Sequence, residues 1–194
     1  MSTFLRTSSG LFLQVGGSCL SVLETPPEPS DEVQIGNQIW KTKNLAIDDG
    51  QGGIYTRTVN YGQGDVTEYY YTWDAAARVA ASISGWHLPT LSELQTLISN
   101  AGGSSIAGKQ TKSTYGWYND GNGDNLYGLT IFPAGYWYND AFFDEYKRAI
   151  FWTSTKRTST RPYAYNATYG SNSLSYDSYS DITQGLSVRL IKDA

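Results

Sequence analysis

The sequence predicts an α+β fold, and three observations lead there. Two amphipathic helices with recognisable caps lie in the first half of the chain. From residue 116 onward the chain is helix-poor, with short aromatic runs separated by Gly, Asn and Asp. The composition, 40% hydrophobic and 14% aromatic but only 16% charged, suits a packed core. Disordered chains have the opposite balance.

The elements follow in order. Residues 1–24 alternate loosely through Leu11, Leu13, Val15, Leu20 and Val22, which predicts one or two short strands around a turn at Gly16-Gly17. Residues 25–32 hold three prolines among acidic and small residues; such a stretch is expected neither to pair in a sheet nor to enter a core, so it reads as a linker. The main domain, 33–194, opens with a strand, turn and strand over 33–40. Residues 46–65, dense in Gly and Asp, read as loop. Residues 72–83 predict a helix with Thr72 as N-cap, Asp74 in the first turn, and Trp73, Ala76, Ala77, Ala80 and Ile83 on one stripe. Thr90-Leu91-Ser92-Glu93 fits a capping box, and Leu91, Leu94, Leu97 and Ile98 supply the buried face of a second helix that Ala101-Gly102-Gly103 ends. Short strands and long irregular loops are expected beyond it.

Charge and cysteine usage exclude several functions. A net charge of −4 and a pI near 4.9 argue against a nucleic-acid partner, which needs clustered Lys and Arg to displace counterions. The densest basic stretch is Lys156-Arg157 with Arg161 nearby. One cysteine, Cys19, permits neither an intrachain disulfide nor a thiolate metal site. No segment approaches the ~20 apolar residues of a membrane span. Leu11-Phe12-Leu13 is too short and interrupted for a signal-peptide core. A lipoprotein signal ending at Cys19, with the proline-rich stretch as tether, is the alternative reading, although Gly16 stands where a leucine-like residue is wanted.

Certain strings are more specific. Ile35-Gly36-Asn37-Gln38-Ile39-Trp40 with Asn44-Leu45 comes first, then Tyr71-Thr72-Trp73-Asp74-Ala75-Ala76, then Gly85-Trp86-His87-Leu88-Pro89-Thr90 with Glu93-Leu94. Tyr127-Gly128-Leu129, Phe132-Pro133-Ala134-Gly135, Phe151-Trp152-Thr153-Ser154-Thr155 and Gly185-Leu186-Ser187-Val188-Arg189 complete the series. Over about 33–192 the chain resembles the Fibrobacter succinogenes major paralogous domain, of the formylglycine-generating-enzyme-like branch of the C-type lectin fold. The resemblance implies that fold, with paired chain ends and a long irregular region displayed on one side. The same branch includes the variable proteins of diversity-generating retroelements, whose C-terminal stretch binds ligands on phage tails or bacterial surfaces.

Residues 153–185 fit that pattern, with five Tyr, seven Ser, six Thr and two Asn but no Trp, Glu or Met. Randomising the adenines of an AAC or AAT codon yields Tyr, Ser, Asp, Thr, Asn, Ile, Phe, Ala, Gly and Arg. It cannot yield Trp, Glu, Lys, Gln or Met, so Lys156 and Gln184 belong to the framework. A ligand-binding protein is therefore expected, at an extracellular, virion or bacterial cell surface, with a protein or glycan receptor. Homo-oligomerisation would add avidity. Its contact residues are Tyr136, Trp137, Tyr138, Asn139 and Asp140 in a loop-like run, then Asp144 and Tyr146. The C-terminal segment adds Arg157, Thr158, Thr160, Arg161, Tyr163, Tyr165, Asn166, Tyr169, Asn172, Tyr176, Asp177 and Tyr179. Tyrosine gives large contact area with two torsions to freeze and a hydroxyl that donates and accepts. Strand alternation turns about half of these tyrosines outward. Trp40, Trp73, Trp86 and Trp152, inside framework strings, are assigned to the core.

No enzyme activity is expected. Formylglycine generation needs an active-site cysteine pair, and the iron-dependent relatives need several histidines where this chain has His87 alone. His87 reads as a packed, hydrogen-bonded framework residue. The carboxylate pairs Asp48-Asp49 and Asp144-Glu145 are adjacent residues that point apart on an extended chain. No cofactor is expected; calcium is the single candidate, on Asp120, Asn122 and Asp124. These give oxygens at alternate positions, but the twelfth position, which should be Glu, is Ile131. A tight turn is the default for that loop.

Overall fold

The computed structural model describes residues 3–7, 10–15, 18–19, 30–177 and 181–194, and the chain divides into two units, 1–30 and 31–194. In the first, β1 (Thr3–Thr7), β2 (Gly10–Val15) and β3 (Ser18–Cys19) form an antiparallel meander with Leu5 opposite Phe12 and Gln14 opposite Cys19. There are thus three strands rather than one or two. The turn at Gly16-Gly17 and residues 25–29 of the expected linker lie outside the described residues.

The linker's last residue is a correction. Glu32 opens β4 (Glu32–Ile35) and pairs with Lys41 of β5 (Gln38–Lys41). Its carboxylate meets Lys41 at 2.8 Å and Lys192 at 2.9 Å, so two cross-strand cations compensate a charge that looked unsuited to a sheet. On the other edge of β5 lies β13 (Ile191–Asp193), antiparallel, which brings the two ends of this unit together.

Residues 46–65 are not all loop. β6 (Ile54–Asn60) and β7 (Asp65–Tyr71) form a seven-pair antiparallel hairpin. Its β-branched and aromatic side chains (Ile54, Thr56, Thr58, Val66, Thr67, Tyr69) outweigh the glycines of the connecting turn. Two helices follow where expected. α1 (Trp73–Ala81) has Thr72 accepting from the Ala75 N–H, and α2 (Leu91–Asn100) carries both hydrogen bonds of the Thr90/Glu93 box. The sequence missed a third, short helix, α3 (Ala107–Thr111), and a single 3-10 turn at Tyr118–Asp120.

The remaining strands are β8 (Tyr136–Tyr138), β9 (Ala141–Phe143), β10 (Arg148–Thr158), β11 (Arg161–Thr168) and β12 (Leu174–Asp177). β10, β11 and β12 form one antiparallel sheet with β11 central. Side chains alternate across it, and each face has a helix. Phe151, Tyr165, Ala167 and Leu174 pack with Leu94, Leu97 and Ile98 of α2. Ile150, Trp152 and Ala164 pack with Ala75, Ala76, Val79 and Ala80 of α1. Because both faces are covered, residues 149–153 are all buried. A bulge after Trp152 breaks the ladder, and there the Thr155 hydroxyl accepts the Leu91 N–H at 3.0 Å, adding a further cap to α2.

Residues 185–191 tie these pieces together. Leu186 exchanges backbone hydrogen bonds with Tyr71, Ser187 bonds Ile150 and Trp152, Val188 accepts from Leu45, Leu190 from Lys41, and Ile191 exchanges with His87. Between them Arg189, 1% exposed, uses all five of its N–H donors: Asn44 Oδ1 (3.2 and 2.8 Å), Lys41 O (3.0 Å), Leu129 O (2.7 Å) and Thr130 O (3.3 Å). Burial pushes the guanidinium down to about 10, against the pull of Tyr165 and Glu68, so it stays charged at neutral pH. Asn44 in turn donates to Glu68 at 2.9 Å, which also accepts from the Tyr61 hydroxyl.

Arg189→Met should cost about 3–5 kcal/mol in urea unfolding, because it leaves the Lys41, Leu129 and Thr130 carbonyls and Asn44 Oδ1 without these donors and removes the cation nearest the buried Glu68 charge. Arg189→Lys, with three donors for five acceptor contacts, should recover only part of that. The Glu93 carboxyl gives a pH signature. Burial pushes it up, but the Thr90 N–H, the His87 ring and the Thr90 hydroxyl outweigh that and hold it below its ordinary 4.5. Its contribution is therefore full above about pH 4.5 and is lost as pH falls through the lower folded-state value. Glu93→Gln should lower stability by about 1 kcal/mol at pH 7 and flatten part of the acid limb, read by urea midpoints from pH 3 to pH 7.

Candidate functional site

The contact residues expected from sequence fall into three groups. The first surrounds a cleft of about 340 Å3 lined by Tyr55, Thr72, Asp74, Trp137, Tyr138, Asn139, Ile182 and Thr183. Tyr136-Trp137-Tyr138 is a strand and not a loop, because β8 pairs with β9 through Trp137 opposite Phe142. Asn139 and Asp140, at φ 47° and 60°, are the left-handed pair that a two-residue hairpin turn needs. Trp137 also exchanges backbone hydrogen bonds with Gly185 (2.8 and 2.9 Å). A Cβ on Gly185 would press Trp137, Tyr70 and the Tyr55 ring at 3.0–3.3 Å, so glycine there lets the aromatic layers close.

The wall of the cleft is a stack: Tyr55 and Trp137 have ring centroids 3.4 Å apart and planes within 9°. Behind it Arg57 pairs with Glu145 at 2.8 Å and lies over Phe142, clamping the β6–β7 hairpin to the β8–β9 hairpin. Trp73 N donates to Ile182 O at 3.1 Å, fixing the start of α1 to the floor. Thr183, through its N–H and its hydroxyl, holds the Asp181 carboxyl below its ordinary range, with Arg161 nearby adding to the effect. By contrast the side chains of Asp74, Tyr138 and Asn139 make no hydrogen bond among the described residues.

The second group is a knot of tyrosines. Tyr118 (53% exposed) meets Tyr169 edge to face at 5.3 Å, Lys147 lies over Tyr118, and Tyr118 N donates to Tyr146 O at 2.7 Å. Tyr146 and Asp144 both have left-handed backbones, φ 63° and 58°, and for a bulky tyrosine that is a strained conformation. Asn172 is exposed in the turn between β11 and β12. The third group is the far end of the sheet. Arg157, Thr158, Thr160 and Arg161 are exposed around the β10–β11 turn, and Tyr163 touches Tyr176, whose hydroxyl accepts from Gln95 at 3.0 Å.

Two expected contact residues are core. Tyr165 is 1% exposed, stacked on Phe151 at 4.8 Å, and Asn166 is 8% exposed and reaches Asp177 at 3.4 Å. α2 covers Tyr165, and Asn166 is enclosed in the central strand between Ile150 and Ser175; a tyrosine-rich run in the sequence does not reveal either cover. Asp177 is half-buried and lies 4.0 Å from Arg148. Tyr179 lies outside the described residues. Of the six remaining expected tyrosines, Tyr138, Tyr146, Tyr169 and Tyr176 are exposed, and Tyr136 and Tyr163 are half-buried. Trp40 and Trp152 are fully buried, whereas Trp73 and Trp86 are only half-buried at the rim of the core.

The family model for the Fibrobacter succinogenes major domain matches residues 33–192. The chain belongs to that family. No curated protein and no solved structure matches it. In this Fibrobacter succinogenes major domain the loop weighed for calcium is organised by the protein's own cation. Lys112, 1% exposed, donates to Gly121 O (2.6 Å), Ser171 O (3.1 Å) and Thr168 O (3.2 Å). Asn122 accepts the Trp117 N–H, and Asp124 faces Lys109 at 3.5 Å. Among the described residues no three His, Cys, Asp or Glu side chains converge. His87 is bonded to Glu93 at 2.8 Å, but its side chain is well exposed rather than packed.

Sequence reasoning missed Tyr55, Asp74, Thr183 and Tyr118. Tyr55 begins a β-rich run that could have been read as a strand; the other three join the surface only through long-range packing. The division between core and contact tyrosines is measurable. Tyr165→Ser should cost about 3–5 kcal/mol in urea unfolding, while Tyr169→Ser, on an exposed ring, should stay within about 0.5 kcal/mol of the parent.

Proposed function

We propose that this domain is a non-catalytic binding protein. It presents a Tyr-, Ser- and Asn-rich surface to a receptor from a C-type-lectin-like scaffold, at a phage particle or bacterial cell surface. The observation that carries the reading is the sorting along β10 to β12. Thr153, Ala164, Tyr165, Ala167 and Leu174 are buried, while Thr158, Thr160, Tyr169, Asn172 and Tyr176 stand outward and Tyr163 is half-buried. A fixed core under replaceable phenol and hydroxyl groups is what a diversified recognition surface requires. The pairing of β5 with β13 and the β10 sheet covered by two helices support the scaffold assignment. Adenine-directed mutagenesis by a retroelement is the proposed source of the outward residues.

The genomic neighbourhood tests diversification. A reverse-transcriptase gene and a near-identical template repeat should lie nearby. Adenine differences should fall in the codons of Thr158, Thr160, Tyr163, Tyr169, Asn172 and Tyr176, and spare those of Thr153, Tyr165 and Leu174. Differences spread evenly over core and surface codons would remove the mechanism. For binding itself, the immobilised domain on peptide and glycan arrays should give saturable hits. These should weaken at least about tenfold in a Tyr138→Ser, Tyr169→Ser, Tyr176→Ser variant whose unfolding is unchanged.

A further inference from the structure

We infer that the cleft beside Trp137 receives an arginine side chain of a protein partner, set against the Tyr55–Trp137 pair with its charge facing Asp74. The inference rests on the binding role proposed above and narrows it to one chemistry.

The first support is how this chain treats its tryptophans. Lys156 lies 3.7 Å from the Trp73 ring centroid, Lys41 and Lys192 lie 4.3 and 4.5 Å from that of Trp86, and Lys112 lies 4.8 Å from that of Trp117. Trp40 and Trp152 are closed off in the core. Trp137 is the sixth; it is half-buried, lines an open cleft, and has no cation over it among the described residues. A tryptophan face is the best aromatic site for a cation, and a planar guanidinium stacks on it as an ammonium does not.

Charge is the second support. Asp74 is exposed on the cleft lining, and its carboxylate makes no hydrogen bond among the described residues. Its neighbour one helical turn on, Arg78, is committed to Asp49 through two bonds of 2.7 and 3.1 Å and to Gly52 O at 2.9 Å. Arg78 therefore acts on Asp74 only at a distance, and the cleft offers a carboxylate with no bonded counter-charge among the described residues, which a neutral ligand would leave so. The third support is acceptor supply. Tyr138 and Asn139 line the same cleft, and the Tyr138 hydroxyl and the Asn139 side-chain oxygen make no hydrogen bond among the described residues. A guanidinium brings five N–H donors and needs several acceptors in one place. A volume of about 340 Å3 admits that group and its stem while remaining small for a larger ligand.

The test follows the tryptophan indole N–H signals of the 15N-labelled full chain by NMR, with Trp137 identified through Trp137→Phe. The probes are the N-acetyl methylamides of arginine, of lysine and of citrulline, the uncharged isostere of arginine, together with methyl glucoside. The arginine probe should shift Trp137 saturably, with dissociation constants on the order of millimolar. Lysine should bind more weakly, citrulline about tenfold more weakly, and binding should fall as salt is raised. Asp74→Asn should reduce arginine binding to the citrulline level, while Asp193→Asn, which removes an exposed carboxylate of β13 outside the cleft, should leave it unchanged. Equal binding of citrulline, preference for lysine or methyl glucoside, indifference to Asp74→Asn, or no response at Trp137 would each overturn the inference. If array binding still depends on the exposed tyrosines after such a result, the broader binding role stands. If array binding is also absent, both fall.

Discussion

A charge with no direct carboxylate partner is buried within the 31–194 unit. Arg189 is enclosed by protein, and its guanidinium is satisfied by three backbone carbonyls and the Asn44 side chain. Glu68 reaches it only through Asn44. Enclosing an ion this way is costly unless every donor finds an acceptor at once. That requirement fixes Lys41, Asn44, Leu129 and Thr130 relative to residues 185–191 simultaneously. Those residues also hold β5, β7, β10 and His87 through backbone hydrogen bonds. The strand ladder and the guanidinium thus enforce one arrangement from two directions.

Lys112 repeats the device on a smaller scale. Its ammonium gathers the carbonyls of Gly121, Thr168 and Ser171, joining α3 to the 120s loop and to the turn between β11 and β12. Gly121 and Gly123 lie so close to backbone carbonyls of Tyr169, Lys109 and Lys112 that a side chain there would collide with them. A buried cation surrounded by carbonyls gives the loop an organising centre of its own. Within that loop Asn122 accepts the Trp117 N–H and Asp120 has a left-handed backbone, both common roles of Asn and Asp in turns.

What could be read from the chain and what could not divide along a physical line. Helix ends were legible because a cap is local: Thr72 with Ala75, and Thr90 with Glu93, lie three residues apart and satisfy donors that any helix leaves open. The ordered family strings were legible for the same reason, and they span residues 33–192. The β6–β7 hairpin was misread because glycines in its turn and flanks dominated the local composition. Tyr165 was misjudged because burial of a strand face depends on the helix that covers it, more than sixty residues away in sequence, and Asn166 because it lies in the central strand between two others. The cleft joins residues near 55, 73, 138 and 183, and no periodicity within one segment encodes such a meeting.

The same long-range logic bears on how one short sheet can be both framework and contact surface. β11 contributes Ala164, Tyr165 and Ala167 to the two cores while its ends run out into the exposed turn at residues 158–161 and into Tyr169. Along the strand, exposure depends less on which face a residue occupies than on how far α1 and α2 extend over it, since both faces are covered at the centre and open at the ends. Substitution at the ends therefore leaves core packing and the Arg189 network untouched, whereas substitution at the centre disturbs both. A recognition surface built on strand ends needs a centre held by strong, geometrically demanding interactions, and the five-donor arginine beside β10 supplies that.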